Sequence, residues 1–164
     1  MAVKIASGKN KNKGVVGNYP VYGSTGVIAW TNAPIFHKAM ILVARVGANA
    51  GFVHLAEGDY DITDNTLYID LDNSINIRFL YYQLVSMNIN QYAKGGGQPL
   101  ITGGLLKDLE IPIPSLEEQE RIVAILDRFD TLVNDLSKGL PAEIEARKQQ
   151  YEYYRDKLLD FKRR

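Results

Sequence analysis

The chain has 164 residues, which suits one recognition-sized domain with an appendage better than two full domains. Its 19 basic and 19 acidic side chains give a formal net charge of +0, so any site for a polyanion must be local. Cysteine is absent, which excludes disulfides, thiolate metal sites and cysteine nucleophiles. Because the sequence contains neither a membrane-length apolar stretch nor a signal peptide, we expect a cytoplasmic protein with no membrane partner.

The first part of the chain, residues 1–114, alternates short β-forming runs with clusters of Gly, Asn, Asp and Pro. Strands are predicted at 19–22, 27–30, 40–46, 51–55, 67–71 and 109–113. Residues 77–88 carry apolar side chains at three- and four-residue spacing, which predicts one short helix. The pattern therefore indicates an α+β domain, with a mixed β-sheet, long loops and a short helix.

The second part, residues 115–164, is predicted to form two coiled-coil-like helices. Ser115 is placed to cap the first helix, with the Glu118 carboxylate reaching back to the Ser115 N–H. Glycine at 139 and proline at 141 end this helix and begin the second. The predicted apolar seam consists of Ile122, Leu126, Phe129, Val133, Ile144, Tyr151, Tyr154 and Leu158.

This seam is wider than either helix can cover alone, and two arrangements would bury it. The helices can fold back on each other as an antiparallel hairpin around residues 139–141. Alternatively, a second copy of the chain can supply the partner helices. The spacing of the apolar residues does not distinguish the two arrangements.

Motifs for catalysis and for cofactor binding are absent from the sequence. No glycine-rich phosphate loop of the GxxxxGKS/T or GxGxxG type occurs, and His37 and His54 lack the spacing of metal ligands. The acidic run at 57–72 begins like a calcium loop but lacks its glycine and its final glutamate, which favours a solvated loop with turn caps. We therefore expect no catalytic residue, no metal site and no cofactor in this chain.

Several lysines are candidates for contacts with phosphates. Lys9, Lys11 and Lys13 lie in a segment without acidic residues, among glycines and asparagines. Lys94 opens a glycine-rich loop. Such cations can hold a nucleic-acid backbone, although a lysine-rich loop is also commonly just a solvated loop.

Other polar side chains have the chemistry to read base edges. Arg45 ends an apolar run. Its guanidinium could either form an ion pair or donate two hydrogen bonds to guanine or to a phosphate. Gln98 can make the paired contacts that adenine offers in the major groove. The hydroxyls between residues 22 and 26 can bind a phosphate or a base edge, or can simply belong to a glycine turn. The candidate readers are Tyr22, Ser24, Thr25, Arg45, Asn49, Gln98 and Thr102.

Five segments of the chain, taken in order, resemble a known family. They are NYPVYGSTGVIAW, ILVARVGANAGFV, ITDNTLYI, GGGQPLITGGLLKDLEIPIPSLEEQERIVAILD and RKQQYEYYRDKLLDF. Together they resemble a target-recognition domain and the helical region that follows it in a type I restriction-modification specificity subunit. The double proline, the capped helix and the EEQxxI step form the most specific part of this resemblance.

The resemblance implies a non-catalytic subunit that binds double-stranded DNA and directs methylation and restriction subunits to a bipartite target. S-adenosylmethionine and ATP are then expected on the partner subunits only. Members of the family usually carry two recognition domains and two helical regions, whereas this chain has one of each and resembles a half-subunit or a fragment. A homodimer or a second half-subunit would complete it. A self-contained nuclease or methyltransferase, and a helical scaffold without a DNA role, are the alternative functions.

Overall fold

The computed structural model describes residues 3–10, 16–95, 97–135 and 141–160. The chain divides into two compact units, Met1–Glu110 and Ile111–Arg164, which we describe separately. The domain boundary predicted from the sequence lies close by, between residues 114 and 115. Within the described ranges, none of the helices combines the length and the apolar character that crossing a membrane requires.

Seven strands of the first unit form two sheets. In chain order they are β1 (Val3–Ser7), β2 (Tyr19–Gly23), β3 (Gly26–Thr31), β4 (Met40–Ala44), β5 (Val53–Ala56), β6 (Asp61–Ile62) and β7 (Thr66–Leu71). The larger sheet has the order β1-β7-β4-β5 and is antiparallel throughout. The smaller sheet has the order β3-β2-β6, with β2 antiparallel to β3 and parallel to β6.

The two sheets share a hydrophobic core. All five residues of β4 are buried, as expected for a strand with neighbours on both edges. Met40 and Leu42 from this strand cluster with Tyr60 and Ile62 at the beginning of the smaller sheet's third strand. The rings of Tyr22, Phe36 and Tyr68 pack around this cluster, so aromatic side chains make up much of the core between the two sheets.

Helices cover the larger sheet and continue the chain. They are α1 (Ile77–Ser86), a 3-10 helix (Ile89–Tyr92) and α2 (Gly103–Lys107) in the first unit. Asn76 caps α1, since its side-chain oxygen accepts hydrogen bonds from the N–H groups of Arg78 and Phe79. The helix packs against β4 and β5 through its buried face.

The predicted α+β class is confirmed, with the strands divided between two sheets instead of one. The strand predicted at 109–113 is wrong, because residues 109–115 have no regular secondary structure. Pro112 and Pro114 in this stretch cannot donate to a strand ladder. The pattern also missed β1, which lies beside the lysine-rich segment, and β6, which has only two residues and begins with an aspartate.

The second unit contains the two predicted helices, α3 (Leu116–Asp135) and α4 (Pro141–Leu159). Ser115 Oγ accepts a hydrogen bond from Glu118 N at 3.4 Å, as the capping pattern requires. The Glu118 carboxylate, however, accepts hydrogen bonds from Arg121 at 2.6 and 2.8 Å. An ion pair within the helix therefore replaces the predicted return contact to the Ser115 N–H.

Helices α3 and α4 pack on each other, as in the first of the two arrangements considered from the sequence, in which the helices fold back on each other. The ring of Phe129 stacks on Tyr154 with centroids 5.6 Å apart and lies 6.4 Å from the ring of Tyr151. Ile122 and Leu126 are fully buried within the single chain. For these two seam residues the chain itself therefore supplies the cover, and no second copy is needed.

The other seam residues are less enclosed. Val133, Tyr151 and Leu158 are half-buried, and Tyr154 is exposed. Leu159, which the pattern left out, is the buried leucine at the end of α4. The side chain of Ile144 lies outside the described residues.

Candidate nucleic-acid interface

One end of the first unit gathers the loops that connect its strands. The register places Ser7 opposite Leu67 and Ala44 opposite Thr66, so β1 and β4 end where β7 begins. In the smaller sheet β2 and β6 run in parallel and end side by side. We call this the loop end and define it by residues 8–10, 22–26, 45–52 and 63–65, together with residues 94–95 and 97–102, which hydrogen-bond to it.

The turn between β6 and β7 holds the loop end together. Thr63 N donates to Tyr22 O at 2.9 Å, and Gly8 N donates to Thr66 O at 3.1 Å. Arg45 N donates to the carbonyl of Asn65 at 2.9 Å. The turn and the first residue of β7 thus contact the last part of β2 and the residues directly after β1 and β4. The sequence favoured a solvated loop with turn caps in this stretch, and its Asp-Asn pair is a typical turn signal.

A further segment, residues 94–102, joins the loop end through backbone hydrogen bonds. Ile101 N donates to Arg45 O at 2.8 Å, and Gly47 N donates to Pro99 O at 3.1 Å. Lys94 and Leu100 exchange two backbone hydrogen bonds, which close the intervening glycine-rich loop. Two segments that are about 50 residues apart in sequence thereby form one surface.

The structure thus brings most of the candidate contact residues together at the loop end. Lys9, Thr25, Asn49, Lys94, Gln98 and Thr102 are exposed there, and Tyr22, Ser24 and Arg45 are half-buried. Lys11 and Lys13 lie outside the described residues. Candidate side chains from four separate segments are therefore gathered at one place.

Two of the candidate readers also have structural roles. The ring of Tyr22 packs edge-on against Tyr60, with centroids 5.6 Å apart. The hydroxyl oxygen of Thr102 accepts a hydrogen bond from Leu105 N at 3.1 Å and so caps α2. Replacing either residue would perturb the fold as well as any ligand contact.

Arg45 has no carboxylate partner among the residues that the structure describes. One guanidinium nitrogen, Nη1, lies 3.5 Å from the backbone carbonyl of Asp64, which is the limit of a hydrogen bond. The ion-pair alternative for Arg45 is therefore not realised here. Its remaining donors suit a phosphate or a guanine edge.

Charge is distributed unevenly between the two ends of the sheets. The loop end, with residues 94–102, contains Lys9, Arg45 and Lys94 against the single acid Asp64. Residues 57, 59, 70 and 72, all acidic, lie toward the opposite end, where β5 and β7 finish. Because acids there would repel a polyanion, this arrangement makes the loop end the favourable face for nucleic acid.

Several of the acids outside the loop end have local partners. His37 Nδ1 lies 2.8 Å from Asp59, and Lys38 Nζ lies 2.5 Å from Asp70. Asp61 is buried and accepts hydrogen bonds from Asn10 Nδ2 and from Ile62 N. Within the described ranges, no three His, Cys, Asp or Glu side chains are grouped as metal ligands.

An aromatic cluster supports the loop end from inside. His54 on β5 lies between the ring of Phe52, 4.7 Å away, and the ring of Tyr22, 6.3 Å away. Burial lowers the pKa of His54 from its ordinary value of 6.5, because the low-dielectric surroundings disfavour the imidazolium. Its Nε2 is buried and has no hydrogen-bond partner among the described residues. The ring is therefore neutral at neutral pH.

This burial predicts a pH-dependent stability. Below about pH 6.5 the unfolded chain binds a proton at His54 more readily than the folded protein does. The free energy of unfolding therefore keeps its full value above that pH and decreases as the pH falls through the lowered pKa. Urea unfolding at about pH 7.5 and about pH 5.5 measures the loss, which is expected to shrink in His54→Gln. The exposed ring of His37 provides the control, since His37→Gln should keep the loss. An equal loss in the His54 variant would contradict this assignment.

Comparison with known proteins places the chain in a family. The family model described as the Type I restriction modification DNA specificity domain matches residues 4–146, and the chain belongs to that family. The resemblance noted from the sequence is thereby confirmed. The chain is 34% identical over 120 residues to the specificity subunit of the EcoprrI type I restriction enzyme of Escherichia coli, covering 73% of this chain and 30% of that protein.

Other relatives agree with this placement. The MpnII specificity subunit of Mycoplasma pneumoniae is 32% identical over 114 residues, or 68% of this chain and 34% of that protein. The solved type I S subunit from M. genitalium superposes with a TM-score of 0.71 at 26% identity, over 83% of this chain and 38% of that chain. The HsdS subunit from Thermoanaerobacter tengcongensis shares the fold, with a TM-score of 0.65. This chain therefore spans less than half the length of each of these relatives.

Proposed function

We propose that this chain is a DNA-recognition component of a type I restriction-modification system and reads one part of a bipartite duplex target. The observation that carries the proposal is the loop end, where the candidate readers converge with three cations and one acid. Membership of the specificity-domain family supports the same assignment. In this function the chain selects a sequence and catalyses no step.

The helices of the second unit are the proposed docking elements for the methylation and restriction subunits. Those subunits would bind S-adenosylmethionine and ATP and would carry out methyl transfer and cleavage. The chain has no glycine-rich phosphate loop of its own, which supports this division of labour. The proposed complex works on DNA in the cytoplasm.

A second recognition unit is proposed to come from a homodimer or from another half-subunit. A two-fold dimer would read a palindrome interrupted by a spacer, because the symmetry of the protein is mirrored in its target. Exposed Leu132 and Tyr153 supply apolar helix surface for the contact.

Binding of the chain to a pool of random duplexes tests the proposal directly. We expect repeated selection to enrich one motif in a gel-shift assay. Retention of DNA without enrichment would indicate a non-specific binder, and no retention would favour a scaffold without a DNA role. Cleavage or methylation of DNA by the purified chain, with Mg²⁺ or with S-adenosylmethionine, would indicate a self-contained enzyme.

Salt dependence tests the proposed phosphate contacts. Lys9→Ala and Lys94→Ala should each weaken all duplexes alike and reduce the log-log salt slope by roughly 0.9, since each lost contact releases one fewer counterion. The same result is expected for Lys11 and Lys13. Lys38→Ala is the matched control, because Lys38 pairs with Asp70 outside the loop end. Unchanged slopes in the loop-end variants would refute their role.

A further inference from the structure

The loop between β4 and β5 presents an aromatic side chain that the candidate readers do not include. Phe52 is 56% exposed, although it is large and apolar. It follows Asn49 by three residues, and both residues line one cleft of about 410 Å³ beside α1. The loop therefore offers an amide and an apolar ring side by side on the proposed DNA-binding face.

This loop is held firmly in position. Phe52 N donates to Asn49 O, and Ala44 N donates to Phe52 O, each at 2.8 Å. Asn90 Nδ2 donates to Ala50 O at 2.7 Å and ties the loop to the 3-10 helix. The exposure of the Phe52 ring consequently belongs to a loop whose backbone is hydrogen-bonded on both sides.

The depth of the ring limits what it can contact. Almost half of Phe52 is buried, with the neutral ring of His54 behind it at 4.7 Å. A ring that rests on His54 in a hydrogen-bonded loop is suited to a contact from the side, and not to insertion between stacked base pairs as the wedges of minor-groove proteins do. It can touch a group that projects from the floor of the major groove, and the thymine methyl is the apolar group found there.

The neighbouring amide complements this contact. Asn49 is exposed, and an asparagine side chain can pair with the N6 and N7 edge of adenine. Adenine and thymine are the two halves of one base pair. An amide and a phenyl ring three residues apart on a rigid loop thus match the two distinguishing features of A·T base pairs.

We propose that the β4–β5 loop makes the recognition domain specific for A·T base pairs, with Asn49 on adenine and Phe52 against a thymine methyl at the same or the adjacent pair. This inference rests on the proposed function and adds to it the class of base that one loop reads. Because the loop belongs to the first unit, the specificity resides there and not in the helices.

Selection from a random duplex pool with the full chain is the first test. The wild type should enrich a motif with at least one invariant A·T pair, and that position should lose its preference in Asn49→Ala and in Phe52→Ala. Ile35→Ala is the matched control: Ile35 is 62% exposed and precedes β4 at the opposite end of the sheet. The control should enrich the same motif as the wild type.

Replacing thymine by deoxyuridine in the enriched site gives a second test that needs no protein variant. Removing the one methyl that Phe52 contacts should weaken wild-type binding about fourfold, the value of one buried methyl group. The same replacement should not change binding by Phe52→Ala. In Phe52→Leu it should still weaken binding, but by less than in the wild type. Asn49→Ala should weaken binding to the site about tenfold, with little effect on unrelated DNA.

The outcomes separate this inference from the proposed function. An enriched motif that lacks an A·T pair sensitive to these variants, or that tolerates deoxyuridine at every thymine, overturns the assignment of the loop and leaves DNA recognition intact. Failure of the wild type to enrich any motif overturns sequence-specific recognition and this inference with it.

Discussion

Gly51→Ala is expected to destabilise the first unit by about 3 kcal/mol or more, a large fraction of the stability of a typical domain. Two effects combine at this position. Gly51 has φ +92°, a conformation that side chains other than glycine rarely adopt. A Cβ atom there would also lie 2.4 Å from the backbone nitrogen of Asn90, so the 3-10 helix would have to move away. Urea unfolding followed by circular dichroism measures the change.

Gly47 is the matched control for this substitution, because it lies in the same loop. Its φ is +84°, but a Cβ atom would meet no other atom within 4 Å. Gly47→Ala should therefore cost only the backbone strain, about 1 kcal/mol. Equal losses in the two variants would show that the close approach of the loop to Asn90 does not contribute to stability.

Leu126→Ala is expected to lower the free energy of unfolding of the second unit by about 2 to 5 kcal/mol. Leu126 is fully buried, and removal of its side chain leaves a cavity in that core. Leu116 on the same helix is 46% exposed, so Leu116→Ala should change stability by no more than about 0.5 kcal/mol. Thermal unfolding of both variants gives the comparison.

Protein concentration distinguishes burial within one chain from burial by a second copy. If the chain itself buries Leu126, the free energy of unfolding lost in Leu126→Ala does not depend on protein concentration. A loss that disappears on dilution would mean that a partner copy buries Leu126. Leu132→Asp tests the proposed dimer instead, because it changes an exposed residue: it should reduce the mass seen by light scattering and leave the helices folded.

Much of the local structure could be predicted from the sequence. The helix of residues 77–86 follows from apolar spacing, and α3 follows from Ser115 and the apolar positions at Ile122 and Leu126. These signals are local, since a helix closes its hydrogen bonds within four residues. Strand signals at 19–23 and 40–44 were equally readable. The two-residue strand at 61–62 had no periodicity to read and was missed.

The candidate site was predictable as a set of residues but not as a surface. Arg45, Lys94 and Gln98 were recognisable by their chemistry alone, whereas Phe52 fell inside the strand predicted at 51–55, where an aromatic side chain is typical of a core residue. Its exposure follows from the packing of His54 and of the 3-10 helix against the loop. No pattern within the loop itself encodes those neighbours.

The sequence by itself determined the α+β class, the two helices of the second unit, the family and the chemical types of side chain available to contact DNA. Only the tertiary structure decided that the loops after β1, β2 and β4 share one end, that the acids at 57–59 and 70–72 lie away from it, and that the chain itself buries Leu126. The reason is physical. Propensity, capping and turn chemistry act between residues a few positions apart, whereas strand register and core packing join residues that are distant along the chain.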